Sequence, residues 1–227
     1  MNETIFQFFH WYYPLGSTLW KDCSREASRL SASGITHVWL PPAYKSAKGA
    51  EEPGYAVYDT YDLGEFDQKG TVATRHGTKD EYLQCIRDLQ SAGIKVLADI
   101  VLNHRFEGDR TEMVKVVDVK DSNRKKRVSD EHTIEAATWF TFPGRKGKYS
   151  PFEWDHTCFT GLCDNGKVKL LIHEFTKDGW EDLPNTQYGN FDFLMANDVE
   201  FRNPAVRIEL MRWADWYTRT TGIDGFR

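Results

Sequence analysis

Apolar residues along this chain come in short continuous runs that alternate with runs at helical spacing. Residues 5–9, IFQFF, read as a strand. From about Thr18 to Ala32, Leu19, Cys23, Ala27 and Leu30 recur every three or four positions, which predicts a helix closed by Gly34. Residues 35–40, ITHVWL, predict a second strand, stopped by Pro41-Pro42. A loop containing Gly49, Pro53 and Gly54 runs to Gly77, and Thr78-x-x-Glu81 then forms a capping box. The helix it opens puts Tyr82, Leu83, Ile86 and Leu89 on one side and ends at Gly93. Residues 95–102 predict a third strand, with Asp99 inside it and Asn103-His104 at its end.

Strand, helix, strand, helix, strand at short spacing implies a parallel sheet with helical crossovers. The continuous apolar runs agree, because parallel strands are covered on both faces. The rhythm then breaks, and residues 103–202 hold short mixed strands, glycines and charges without a helical period. Order resumes at Asn203-Pro204, an N-cap followed by proline in the first helical position. That helix turns Val206, Leu210, Trp213 and Tyr217 toward a core and ends at Gly222, and IDGFR starts a fourth strand. An interruption of roughly 100 residues is too long for a loop, so it reads as a small domain inserted after the third strand. The expected fold class is α/β: the first half of a (β/α)8 TIM barrel, with a mixed, β-rich inserted domain. Residues 1–102 would form the first three βα units, 103–202 the insertion, and 203–227 the third helix and the start of strand four. The C-terminal rim of such a barrel carries the chemistry, and Asn103 and His104 fall there.

The net charge of −5 implies no general attraction to nucleic acid or to an anionic membrane. One basic run, NRKKR at 123–127, is flanked by acids on both sides and reads as a solvated loop rather than a polyanion patch. No stretch of apolar residues is long enough to span a bilayer, and MNETIFQFFHWYY lacks the marks of an export signal, so a cytoplasmic location is expected. Cys158-x4-Cys163 is compatible with a disulfide or half a zinc site. No second Cys/His pair stands at ligand spacing, and free thiols are the simpler reading of all four cysteines. Aromatic residues make up 14% of the chain, which suits core packing and also stacking on sugar rings.

ADIVLNHR, at 98–105, resembles the third-strand motif of the α-amylase family of glycoside hydrolases. LPPAYK, GYAVYDTYDLGEFDQKGTVATRHGTK and GIDGFR resemble the liquefying-type members in particular, and the likeness extends from FQFFHWYYP to Arg227. The resemblance implies a retaining hydrolase of internal α-1,4 bonds in starch or glycogen, monomeric as the full enzyme. It implies that His104 hydrogen-bonds the sugar at the cleaved bond and stabilises the transition state, that Tyr55 stacks on that sugar, and that Trp11 lines the cleft. Arg227 would keep the nucleophilic carboxylate ionised, and Asp99 would fix its neighbours as a structural carboxylate. Asn103, Asp192 and Asp198 would bind Ca2+, which takes six to eight oxygen ligands.

Several positions depart from the family pattern. His10 stands where liquefying enzymes have Glu. Thr160, Glu181, Glu200 and Arg202 align with acids that gather further metal ions in some relatives, and Arg202 replaces a carboxylate with a cation. Retaining glycosidases need two carboxyl groups roughly 5–5.5 Å apart. The family's nucleophilic Asp comes two residues beyond the position of Arg227, and its acid/base comes later still. Residues 1–227 are therefore expected to be inactive alone. The alternatives are a non-catalytic glucan-binding or pseudoenzyme fragment, or a glucanotransferase or α-glucosidase on the same scaffold.

Overall fold

The computed structural model describes residues 2–16, 18–180 and 195–227. In chain order the elements are β1 (Ile5–Gln7), α1 (Leu19–Ala32), β2 (His37–Leu40), β3 (Lys45–Ser46), β4 (Val57–Asp59), α2 (Lys79–Ser91) and β5 (Lys95–Ala98). There follow β6 (His104–Arg105), β7 (Arg110–Lys120), β8 (Asn123–Arg127), β9 (His132–Trp139), β10 (Phe159–Asp164), β11 (Lys167–Leu171) and β12 (Asn197–Val199). The chain closes with α3 (Pro204–Thr221) and β13 (Gly225–Phe226). These residues form two compact units: 1–101 with 143–149 and 212–227, and 102–142 with 150–211. The second unit thus gives up 143–149 to the first and takes in the opening turns of α3, unlike the single block 103–202 read from the sequence.

In the first unit β1, β2, β5 and β13 lie side by side in that order, every pair parallel. Each strand is joined to the next by a helical crossover, as the alternating pattern predicted, and the described residues form an open sheet rather than a closed barrel. Buried Leu19, Trp20, Cys23, Ala27 and Leu30 make one face of α1. On α2 the buried face is Tyr82, Cys85, Ile86 and Leu89, so Cys85 takes the inward place expected of Leu83. The capping box is present: Thr78 accepts from the Glu81 amide, and the Glu81 carboxylate accepts from the Thr78 amide at 2.9 Å. A buried tyrosine pair, Tyr82 and Tyr217, is joined hydroxyl to hydroxyl at 2.7 Å, and the Trp213 indole donates to the Thr60 carbonyl at 2.8 Å.

The third strand is shorter than its apolar run. Asp99 and Ile100 continue the ladder by donating to the Leu40 and Arg227 carbonyls, both at 3.0 Å. The next amide, Val101, donates instead to the Tyr44 hydroxyl at 2.6 Å. A side chain takes the bond that a neighbouring strand would have supplied, so pairing ends there. Asp99 therefore lies just past β5 rather than within it, and His104 opens β6 instead of closing the barrel strand.

The second unit is a sheet in the order β6-β12-β10-β11-β7-β8, with β9 on β7. Its core packs Val117, Val119, Val168 and Leu170 against Trp180. The basic run 123–127 is β8, hydrogen-bonded antiparallel to β7 along one edge, and not a loop, although its side chains are mostly exposed. Cys23, Cys85 and Cys158 are buried thiols and Cys163 is an exposed one.

Candidate functional site

In the first unit, the C-terminal ends of the parallel strands gather Asp99, Arg227, Trp39 and, from the loop before β4, Tyr55. Asp99 is fully buried. One carboxylate oxygen accepts the Tyr55 hydroxyl at 2.7 Å and the other accepts the Arg227 guanidinium at 3.2 Å. A buried carboxylate left without such partners would be costly. Burial raises the Tyr55 phenol pKa, and the bond to Asp99 raises it further, so the hydroxyl stays a donor. Arg227 lies over the Trp39 ring at 4.6 Å, and Phe9 meets that ring edge-on at 5.3 Å. Trp11 stacks on Tyr55, with ring centroids 5.9 Å apart and planes 24° apart, and is itself 62% exposed. The structure thus brings Trp11, Tyr55, Asp99 and Arg227 together. Trp39, unremarked in the sequence, joins them. Its signal was an aromatic residue near the end of a barrel strand.

In the same unit the hairpin of β3 and β4 is built around Lys45, whose side chain is fully buried. Its ammonium donates to the carbonyls of Phe66, Thr71, Val72 and Ala73 at 3.3, 2.6, 2.6 and 3.5 Å, and lies 3.6 Å from Asp62. Burial pushes the Lys45 ammonium pKa down and the Asp62 carboxyl pKa up, and each is pulled back by the other. Asp59, also buried, accepts from Arg145 at 3.0 Å and from Gln68 at 2.9 Å. Within the first unit these bonds tie residues 59–73 and 143–149 to the hairpin that carries Tyr55.

The second unit holds His104, Asn103 and Asp198. His104 is buried, pairs in register with Asp198 of β12, and meets the Phe106 ring edge-on at 5.4 Å. The Asn103 amide reaches the buried Asp198 carboxylate at 3.2 Å, and the Asn103 carbonyl accepts from Val199 at 2.8 Å. A buried carboxylate and an amide side by side are hard oxygen donors of the kind calcium takes. Asp192, the third expected ligand, lies outside the described residues, as does Glu181. Among the described residues no group of three or more His, Cys, Asp or Glu side chains is placed to hold a metal ion.

The Arg202 guanidinium donates to both oxygens of Glu200, at 2.8 and 2.6 Å. The Arg202 amide and the Thr160 hydroxyl add bonds of 2.7 and 3.1 Å. Glu200 is fully buried, and the guanidinium neutralises it without an ion.

A parallel sheet wound strand by strand through helices, bearing an acid, a tyrosine and an arginine past its C-terminal ends, has the layout of a (β/α)8-type enzyme. Comparison with known proteins agrees. A sequence profile of the alpha-amylase catalytic domain matches residues 29–227. The chain is 42% identical, over its whole length, to the cytoplasmic alpha-amylase of Escherichia coli, covering 47% of that protein. It is 45% identical, again over its whole length, to an alpha-amylase of Geobacillus stearothermophilus, covering 42% of it. In fold it is similar to a crystal structure of a maltogenic alpha-amylase from Thermotoga neapolitana, with a TM-score of 0.52 and 18% identity over 98% of this chain and 38% of that one. The chain belongs to the α-amylase family of TIM-barrel glycoside hydrolases. It spans less than half the length of the relatives it matches.

Proposed function

We propose that the protein carrying these residues hydrolyses internal α-1,4 bonds of starch or glycogen with retention of configuration, as a monomer in the cytoplasm. The observation that carries this reading is the buried Asp99, bonded to both Tyr55 and Arg227 at the C-terminal ends of the parallel strands. Asp99 acts as a positioning residue. Tyr55 and Trp11 offer aromatic surface to a sugar ring, and His104 donates a hydrogen bond to the sugar at the cleaved bond. Arg227 holds the nucleophile ionised. Asn103, Asp192 and Asp198 hold calcium, which, when bound, supplies the charge that draws these segments together.

The test is reducing-sugar release from starch by the full-length protein, with the anomeric form of the product followed by NMR. His104→Ala should lower kcat/KM by about 10²–10³, the scale for losing one transition-state donor. Undiminished activity in that variant, or an inverted product, would overturn the reading. One observation favours a second reading, a glucan-binding protein without catalysis: the largely exposed Trp11 stacked on Tyr55 makes a platform that can hold sugar with no chemistry. Saturable maltooligosaccharide binding by the full-length protein without turnover would select it.

A further inference from the structure

The basic strand β8 has no part in the function proposed above. Beside it in the second unit runs the turn Lys177-Asp178-Gly179-Trp180, and the two enclose a pocket of about 250 Å³. Arg124, Lys125, Arg127 and Lys177 line it, with Asp178 as the one carboxylate among the described residues. Four cations against one anion leave three net positive charges, in a chain whose total is −5.

This convergence differs from an ordinary solvated face in two ways. The walls are fixed: Trp180 is buried in the core of the unit and donates its indole N–H to the Arg124 carbonyl at 2.8 Å. Arg202 holds the other side of the turn by donating to the Gly179 carbonyl at 2.8 Å. Three of the four charges are also poorly compensated. Two other cations of this unit are paired, Lys169 with Asp118 and Arg202 with Glu200. Among the described residues Lys125, Arg127 and Lys177 enter no ion pair. Arg124 is half-buried, and burial pushes its guanidinium pKa down against the longer-range pull of Asp198 and Asp121. Like charges fixed together repel, and a multiply charged anion relieves that repulsion through charge-assisted hydrogen bonds.

We propose that this pocket binds a phosphomonoester dianion. Guanidinium and ammonium groups together match phosphate oxygens, and the volume leaves room for the group that bears the phosphate. The proposal is independent of the hydrolytic reading, because its test reads binding and not turnover.

The experiment is calorimetric titration of the full-length protein with glucose 6-phosphate, inorganic phosphate, glucose and a duplex oligonucleotide, at low and high salt. Glucose 6-phosphate should bind saturably, glucose should not, and affinity should fall as salt rises. Lys125→Ala/Lys177→Ala, at two exposed positions, should weaken binding about tenfold or more, and Lys125→Arg/Lys177→Arg should restore it. Tighter binding of the ester than of inorganic phosphate identifies the sugar phosphate as the ligand, and equal binding assigns the pocket to the free anion. No saturation at about 10 mM, equal binding by the alanine variant, or tighter binding of the oligonucleotide would overturn the proposal.

Discussion

Replacing Lys45 with methionine tests how the first unit holds its site. Methionine keeps the length and apolar stem of the side chain and removes only the ammonium. The Thr71 carbonyl would keep its bond from the Gln68 amide and the Ala73 carbonyl its bond from the Thr71 hydroxyl, but each would lose the cation. Asp62 would keep the Gly64 and Glu65 amides, both at 2.9 Å, and the Gln68 side chain at 3.0 Å, while its charge stayed buried and uncompensated. Breaking a buried pair from one side costs about 3–5 kcal/mol. Relief of the lysine's own desolvation offsets part of this, so we expect a net loss of about 3 kcal/mol. A loss of that size lowers the thermal midpoint measurably. The assay is a double-mutant cycle in thermal or urea denaturation: wild type, Lys45→Met, Asp62→Asn and the double variant. Asp62→Asn should cost clearly less in the Lys45→Met background than alone, because it removes the stranded charge. A Lys45→Met protein within about 0.5 kcal/mol of wild type, or strictly additive losses, would refute the reasoning.

Three further outcomes are expected. Tyr55→Phe and Asp99→Asn should each destabilise by about 1–3 kcal/mol and combine to less than their sum, and an additive cycle would show that the 2.7 Å bond carries no coupling. Glu65 is one pH-sensitive group: burial alone would raise its carboxyl pKa, but bonds from Lys148, Lys79 and Tyr149 outweigh burial and hold it at about 2. A depressed carboxylate stabilises above its ordinary pKa and loses that contribution as pH falls through its folded value. The midpoint gap between wild type and Glu65→Gln, about 1 kcal/mol after allowing for solvent screening, should therefore close between about pH 4.5 and pH 2, and a gap constant with pH would refute it. Calcium should raise the thermal midpoint of the full-length protein relative to chelator, and Asp198→Asn should remove most of that rise; equal wild-type midpoints in calcium and chelator would rule the site out.

Local rules were legible in the chain. The faces of α1 and α2, the capping box at Thr78 and Glu81, and the N-cap at Asn203, which accepts the Ala205 amide at 2.9 Å, follow from spacing and from donors within one turn. The parallel order of β1, β2, β5 and β13 follows from helices placed between apolar runs. The motif around Asn103 and His104 marked the family. Partners distant in sequence were not legible. Asp99 meets Tyr55 and Arg227 across 44 and 128 positions, a meeting decided by strand register. Lys45 reads as a surface lysine until residues 66–73 fold over it. The basic run became a strand because β7 offered it a backbone ladder, which no composition rule records. Periodicity states which face of an element is buried; what it is buried against is fixed only when the elements pack.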